Sequence, residues 1–356
     1  MTVAHINRIA TAVPPVDVHG SFVGIGRRFL TDDRRLRLFE RMAARSQIDH
    51  RWSFIDPVTD VQDNALDRNG FYRIGAFPST ARRMARFEST APDLAVQAVE
   101  ALDLGSLVAS ITHVIVTSCT GLAAPGIDLL LVQRLGLNPS VERTVIGFMG
   151  CYAAVNALKM ARHVVRSEPI AVVLIVSIEL CTLHLQQSAD LEQLLSFLVF
   201  GDGCAAAIVS SQSHGLALDS FTALLAPEGA DQITWNIRDQ GFDMVLSGGV
   251  PNSVGAALRA GHAAMLGSTS VGGIDLWAVH PGGRSVLDAV ETALELDDEA
   301  LATSRAVLRQ NGNMSSATIL FVLRDLMARA EPGMRGCGMA FGPGLTAETL
   351  LFSAAR

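Results

Sequence analysis

The stretch TVIGFMGCYAAVNALKMAR, residues 144–162, holds the decisive pattern. A short β-branched run ends in a glycine turn, and Cys151 then opens a helix rich in small residues. That helix is expected to run to about Arg166, because Ser167-Glu168-Pro169 stops it: proline cannot donate to the helical ladder. A strand turning sharply into a helix resembles a nucleophile elbow, which projects one side chain at the mouth of a sheet. A helix N-terminus favours a thiolate and lowers a cysteine's pKa. Ala153, Ala154 and Ala157 let the helix pack closely against its neighbours. Cys151 reads equally well as a small apolar residue of a core helix, and the stretch alone leaves both readings open.

Working outward, strands and helices alternate. HVIVTS (113–118) reads as a buried strand and DLLLVQRLGL (128–137) as a helix. AVVLIVSIE (171–179) is continuous and β-branched, as expected of a strand covered on both faces. GCAAAIVSS (203–211) is another strand. The second half repeats the rhythm: IDLWAVH (274–280) and CGMAFGPG (337–344) as strands, SVLDAVETAL (285–294) and MSSATILFVLRDLMARA (314–330) as helices, and ETLLFSA (348–354) as the last strand. This pattern predicts a layered α/β fold. The two halves read as related copies, residues 1–211 and 212–356.

A chain of 356 residues, 49% apolar, has ample material for a large core. The N-terminal MTVAHINRIATAVPP lacks the charged start and apolar core of a signal peptide. The longest apolar runs are about half the roughly 20 residues a spanning helix needs. A cytoplasmic protein without an integral membrane segment is therefore expected. Five cysteines without CxxC pairs argue against a disulfide framework and against a zinc site. The net charge of −7 argues against nucleic acid as a partner. One stretch departs from that balance: Arg27, Arg28, Arg34, Arg35, Arg37, Arg41 and Arg45 crowd together. They read as a solvated helix face or as a basic rim attracting a phosphorylated ligand such as CoA.

Two further residues stand at the ends of predicted strands or turns. His280 precedes Pro281-Gly282-Gly283, and strand ends are where ligand groups gather in α/β sheets. Asn313 enters an apolar helix and would otherwise be taken for its N-cap. A Cys/His/Asn set can attack a thioester and hold the resulting oxyanion, since His and Asn side chains donate to a developing negative charge.

GCYAAVNALKMA (150–161), VFGDGCAAAIV (199–209), WAVHPGG (277–283), GNMSSATILFVL (312–323) and FGPGLTAETLLF (341–352) together resemble the type III polyketide synthases, relatives of chalcone synthase. The resemblance extends along nearly the whole chain. It implies a thiolase-like fold in an αβαβα arrangement, the nucleophile Cys151 in the first half and His280 and Asn313 in the second. It implies that Cys151 takes a starter acyl group from CoA. His280 and Asn313 would bind the thioester carbonyl and the enolate of decarboxylated malonyl-CoA, and His280 would keep Cys151 as thiolate. No metal or redox cofactor is then required. Phe200 matches the aromatic gatekeeper of the substrate cavity. Thr120, Cys181, Ser315 and Pro343 are assigned to that cavity with it. Arg41 and Arg45 match residues that hold CoA phosphates, and Leu38 stands where a further basic residue is often found.

Other cavity positions depart from the plant pattern. Met244 replaces a second gatekeeper phenylalanine, and Trp235 replaces a small residue. Cys119 and His184 replace threonines and bring polar groups, although each also reads as a packing substitution. TAVPPVDVHGSF (11–22) and the pair SCTG/LCTLHL resemble bacterial members, which often start from fatty acyl-CoA and make alkylresorcinols or alkylpyrones. Short-starter or malonyl-only synthesis, of phloroglucinol or a naphthalene tetrol, is the alternative. A single condensation like that of ketoacyl-ACP synthase III, and a non-catalytic acyl-CoA-binding relative, are further rivals. The family implies a homodimer in which the loop Ala123-Ala124-Pro125-Gly126 closes the neighbour's cavity.

Overall fold

The computed structural model describes residues 2–58 and 64–355. In chain order, β1 (His5–Ala12) and β2 (Val16–Asp17) lead into α1 (His19–Phe29) and α2 (Asp33–Arg45). Then come β3 (Trp52–Ser53), α3 (Thr80–Glu100), β4 (His113–Ser118), α4 (Ile127–Leu135) and β5 (Glu142–Gly147). They are followed by α5 (Ala153–Ser167), β6 (Val173–Leu180), α6 (Leu191–Val199) and β7 (Asp202–Ser210). The second half holds β8 (Leu216–Leu225), the hairpin β9 (Ile233–Arg238) and β10 (Gly241–Leu246), and α7 (Val250–Leu266). It closes with β11 (Leu276–Val279), α8 (Arg284–Leu294), α9 (Ala302–Asn311), α10 (Thr318–Met327), β12 (Arg335–Gly342) and β13 (Thr346–Ala354).

Nine strands form one mixed sheet in the order β11-β12-β13-β8-β1-β7-β6-β4-β5. It consists of two half-sheets that meet where β1 pairs β8 through His5↔Ala217 and Ile6↔Leu216. In each half, a parallel pair (β4–β6 and β11–β12) is flanked by an antiparallel strand (β7 and β13). Helices α5 and α10 lie between the half-sheets and share their core, with Ala154, Ala157, Leu158, Leu320 and Phe321 buried there. Helices α3 and α4 cover the outer face of the first half, and α7, α8 and α9 that of the second. The layers are thus α, β, α, β, α. Small side chains make this spacing possible. Ala205, Ala206 and Ala207 of β7 are fully buried, as are Ala91, Ala95 and Ala98 of α3. Strand β6, VLIVSIEL, is buried along its whole length, which accounts for its continuous apolar run.

Two helices begin later than their sequence suggests. Gly150–Tyr152 forms a 3-10 turn before α5, and Ser315–Ala317 forms another before α10. The cause is local: Phe148, Gly150 and Ser315 all take left-handed backbone angles, φ 55°, 66° and 48°, which an α-helix excludes. Helix α4 stops at Leu135, where Gly136 takes φ 63° as the left-handed cap.

Candidate active site

Cys151 and His280 lie in strand-to-helix turns, whereas Asn313, expected at a strand end, instead follows helix α9; its side chain reaches both Cys151 and Gly282, two residues after His280. Cys151 sits in the tight turn after β5, 8% exposed. Gly150 is required there twice over. Its φ is positive, and a Cβ would stand 2.3 Å from Pro343 Cδ. His280 follows β11 and extends its pairing, with its amide donating to the Met339 carbonyl at 2.8 Å. Asn313 is pinned beside Phe200: its amide donates to the Val199 carbonyl and its carbonyl accepts from the Gly201 amide, at 2.7 and 3.0 Å. The Asn313 side chain is fixed at both ends. Oδ1 accepts from the Ser315 amide at 2.8 Å, and Nδ2 donates one proton to the Gly282 carbonyl at 3.2 Å. Ser315 Oγ stands 3.8 Å from Cys151 Sγ.

Burial governs the electrostatics. It pushes the Cys151 thiol up to about 12, against stabilisation of the thiolate by Ser315 and Asn313, while the Glu179 carboxylate adds to the rise. Burial also pushes the His280 imidazole down to about 3. Desolvation thus opposes the acidifying effect expected of a helix N-terminus. The expected Cys151–His280 pair is not formed. Both His280 ring nitrogens are buried without a partner among the described residues. Unpaired polar atoms in a protein interior are costly, and a ligand that hydrogen-bonds them would relieve that cost.

A chamber beside Cys151 is lined by Cys119, Thr120, Gly150, Cys181, Phe197, Phe200, Ile233, Trp235, Met244, Ser315 and Pro343, and His280 and Asn313 are not part of that lining. Trp235 and Met244 are direct cross-strand partners of the β9–β10 hairpin. They share one face of it, so their side chains meet across the hairpin. Trp235 Nε1 donates to the Cys119 carbonyl at 2.6 Å, tying the hairpin to the chamber wall. His184 is corrected to a position behind that wall. Its Nε2 donates to the Thr120 carbonyl at 2.7 Å, and its Nδ1 accepts from the Phe242 amide at 3.1 Å. Its ring stacks on Phe242 at 4.1 Å, and burial lowers its pKa to about 3. It is a neutral buttress with no nitrogen left for substrate.

Glu179 is the site residue that sequence reasoning missed. Fully buried, it accepts from Ser316 Oγ (2.5 Å), Thr120 Oγ1 (2.7 Å) and the Cys119 amide (3.0 Å). Burial raises its pKa, with those hydrogen bonds opposing the rise. Cys119 donates its thiol to Glu179 at 3.4 Å and lies 3.1 Å from Ser315 Oγ. Burial first, and Glu179 second, hold Cys119 firmly protonated. The signal was present in the sequence: an acidic residue inside an apolar strand needs partners. Asp202, in VFGDG, behaves likewise. Burial lifts it to about 7 against hydrogen bonds from Thr182.

Next to the trio lies a groove of about 800 Å³. Its floor includes Val199, Gly282 and Gly283, neighbours of Phe200 and His280, and Arg45 lines its rim. Arg41 and Leu38 are exposed on the same helix, α2, outside that lining. The loop Ala123–Gly126 follows Cys119 and Thr120, and Ala124 and Pro125 are exposed on it. Among the described residues, one cluster has metal-ligand composition: His113, Glu142 and Glu168, at the far end of β4 from Cys119. No helix among the described residues is long and apolar enough to cross a membrane.

A two-half layered sheet with a cysteine at an elbow and unpartnered donors beside it defines a thiolase-fold condensing enzyme. Family models for the chalcone and stilbene synthases match residues 24–213 with their N-terminal domain and residues 217–355 with their C-terminal domain. The chain belongs to that family, the type III polyketide synthases, which are condensing enzymes of the acyltransferase class. It is 33% identical to "Alpha-pyrone synthesis polyketide synthase-like Pks18" of Mycobacterium tuberculosis, over 100% of this chain and 92% of that one. It is 34% identical to the 1,3,6,8-tetrahydroxynaphthalene synthase of Streptomyces peucetius, over 70% of each chain. The solved tetrahydroxynaphthalene synthase of Streptomyces coelicolor superposes with a TM-score of 0.84 at 29% identity, covering 99% of both chains. The type III domain of Steely1 from Dictyostelium shares the fold, with a TM-score of 0.91 at 24% identity over 99% of this chain and 100% of that one.

Proposed function

We propose that this protein loads an aliphatic acyl group from CoA onto Cys151, extends it with malonyl-CoA, and cyclises the product to an alkylpyrone or alkylresorcinol. The observation that carries the chemistry is the pair of orphaned ring nitrogens on buried His280, together with an Asn313 amide that donates to Gly282 and reaches Cys151. A carbonyl oxygen between them would receive two hydrogen bonds that strengthen as it becomes an oxyanion. Burial penalises a lone thiolate and a lone imidazolium, but the two formed together offset each other. Cys151 thus passes its proton to His280 and attacks the thioester carbon. The carbon–sulfur bond to CoA breaks, and the departing CoA thiolate takes the proton. Malonyl-CoA then loses carbon dioxide, and the electron pair of that bond becomes an enolate held by His280 and Asn313. The enolate carbon attacks the Cys151 thioester and frees the thiolate. Decarboxylation drives each step, so this route needs no metal or redox cofactor.

The aliphatic starter is supported by the apolar lining of a second cavity, of about 50 Å³, that shares Cys181, Phe197 and Phe200 with the chamber. It is walled by Val18, Phe22, Ile25, Ile55, Leu66 and Leu185. The relationship to the alpha-pyrone synthesis protein agrees with it. One observation favours a short or malonyl-only starter instead: Trp235 and Met244 leave only about 20 Å³ free in the chamber. Product mass analysis with starter CoAs of two to sixteen carbons separates these readings. Ring products that follow the length of an aliphatic starter support the first. The same product whatever the starter supports the second. A single 3-ketoacyl product that requires a carrier protein would refute both.

A homodimer is part of the proposal. Among the described residues, strand β5 is a sheet edge paired only with β4, and it exposes Val145 at 49%. An edge of this kind is covered in stable proteins. A cytoplasmic location completes the reading.

A further inference from the structure

We propose that the outer face of α2 docks an acyl carrier protein, an acidic protein presenting its acyl thioester on a phosphopantetheine arm. Arg34, Arg35, Arg37, Arg41 and Arg45 are all exposed on this helix. None of the five forms an ion pair among the described residues, because Glu40 is taken by Arg27 at 2.8 Å. A chain of net charge −7 therefore presents one concentrated, unneutralised basic face, which steers an acidic partner.

Arginines alone would suit a free nucleotide. The apolar residues between them distinguish a protein partner. Leu38 and Met42, four residues apart, are 38% and 43% exposed. Helical spacing places Leu38 in line with Arg34, Arg41 and Arg45, with Met42 alongside. Arginine and methionine are enriched at protein interfaces, whereas a diphosphate has no use for an exposed leucine. The opposite side of the helix, Phe39 and Ala43, is buried in the protein. That leaves no wide apolar stripe for insertion into a lipid surface. Position supports the same partner. Met42 and Arg45 line the groove whose floor adjoins Phe200 and His280, so an arm delivered from α2 has a short path to the chamber.

The test titrates a fluorescently labelled bacterial acyl carrier protein, loaded with a decanoyl group, against the intact protein and an Arg34→Glu/Arg37→Glu variant. In parallel, Cys151 loading is followed by mass from decanoyl-carrier, decanoyl-CoA and decanoyl-pantetheine. Binding should weaken about tenfold in the variant and with salt raised to about 0.3 M. Loading from the carrier should fall in step, while loading from decanoyl-CoA stays unchanged. Absence of carrier binding, binding indifferent to the variant, or pantetheine loading as fast as the carrier would overturn the proposal. So would variant-sensitive binding to phosphatidylglycerol vesicles without carrier binding. Failure of all three donors to load Cys151 would count against the nucleophile assignment, whereas the binding titration judges the docking face by itself.

Discussion

Replacing Gly150 by alanine tests the elbow that presents Cys151. An alanine held at φ 66° costs about 1–2 kcal/mol. Its Cβ would stand 2.3 Å from Cδ and 2.8 Å from Cγ of Pro343, and the proline lies in the turn between β12 and β13. Relieving such a contact in a packed site costs about 1–3 kcal/mol. Gly150→Ala should therefore lower unfolding stability by about 2–5 kcal/mol, read by urea denaturation. The relief also moves the turn, and Cys151 with it. A displacement near 1 Å from the attacking geometry costs about 100-fold in rate, read as the rate of acyl transfer to Cys151. Gly24→Ala is the control: a Cβ there meets nothing within 4 Å, and a helical alanine is worth up to about 1 kcal/mol over glycine. Wild-type stability and loading in Gly150→Ala would refute the account of the elbow.

His280→Ala and Asn313→Ala should each lower condensation about 10²- to 10³-fold and also slow release of carbon dioxide from malonyl-CoA, measured with labelled substrate. Asp202, lifted to about 7 in the folded protein, binds its proton more tightly folded than unfolded. Its contribution is fully present below the ordinary carboxylate range and is lost as pH rises through about 7. At up to about 4 kcal/mol, that pH dependence should disappear in Asp202→Asn when denaturation is compared between pH 4 and 8; parallel curves would contradict it. Trp235→Gly should change product length or ring type while leaving starter loading intact, and an unchanged product profile by mass would show that Trp235 does not shape the chamber.

Much of the layered fold is legible because its central strands are unusually uniform. HVIVTS matches β4 to the residue, and AVVLIVSIE and GCAAAIVSS lie within two residues of β6 and β7. Strand β1 is harder to see because Asn7 and Arg8 interrupt its apolar pattern, and both are satisfied by distant carbonyls. The β9–β10 hairpin is not legible: its register follows the two-residue turn between Arg238 and Gly241, and only the family resemblance places Trp235 and Met244. At the site, Cys151 and His280 are visible as strand-end residues, whereas Asn313 follows a helix, α9. The protonation of Cys151 and His280 is not visible, because it depends on burial, which a linear sequence does not display. His184 shows the same limit: its composition suggests a cavity group, while its two hydrogen bonds turn it into the wall.

The central claim is that Cys151 carries the growing chain, with His280 and Asn313 stabilising its oxyanions. Intact-protein mass after incubation with decanoyl-CoA tests it most directly. The protein should gain one decanoyl group, mapped to Cys151 and absent in Cys151→Ala, and on addition of malonyl-CoA lose it as a ring product. Ring product formed by Cys151→Ala at the wild-type rate, or acylation mapped to another residue, would contradict it.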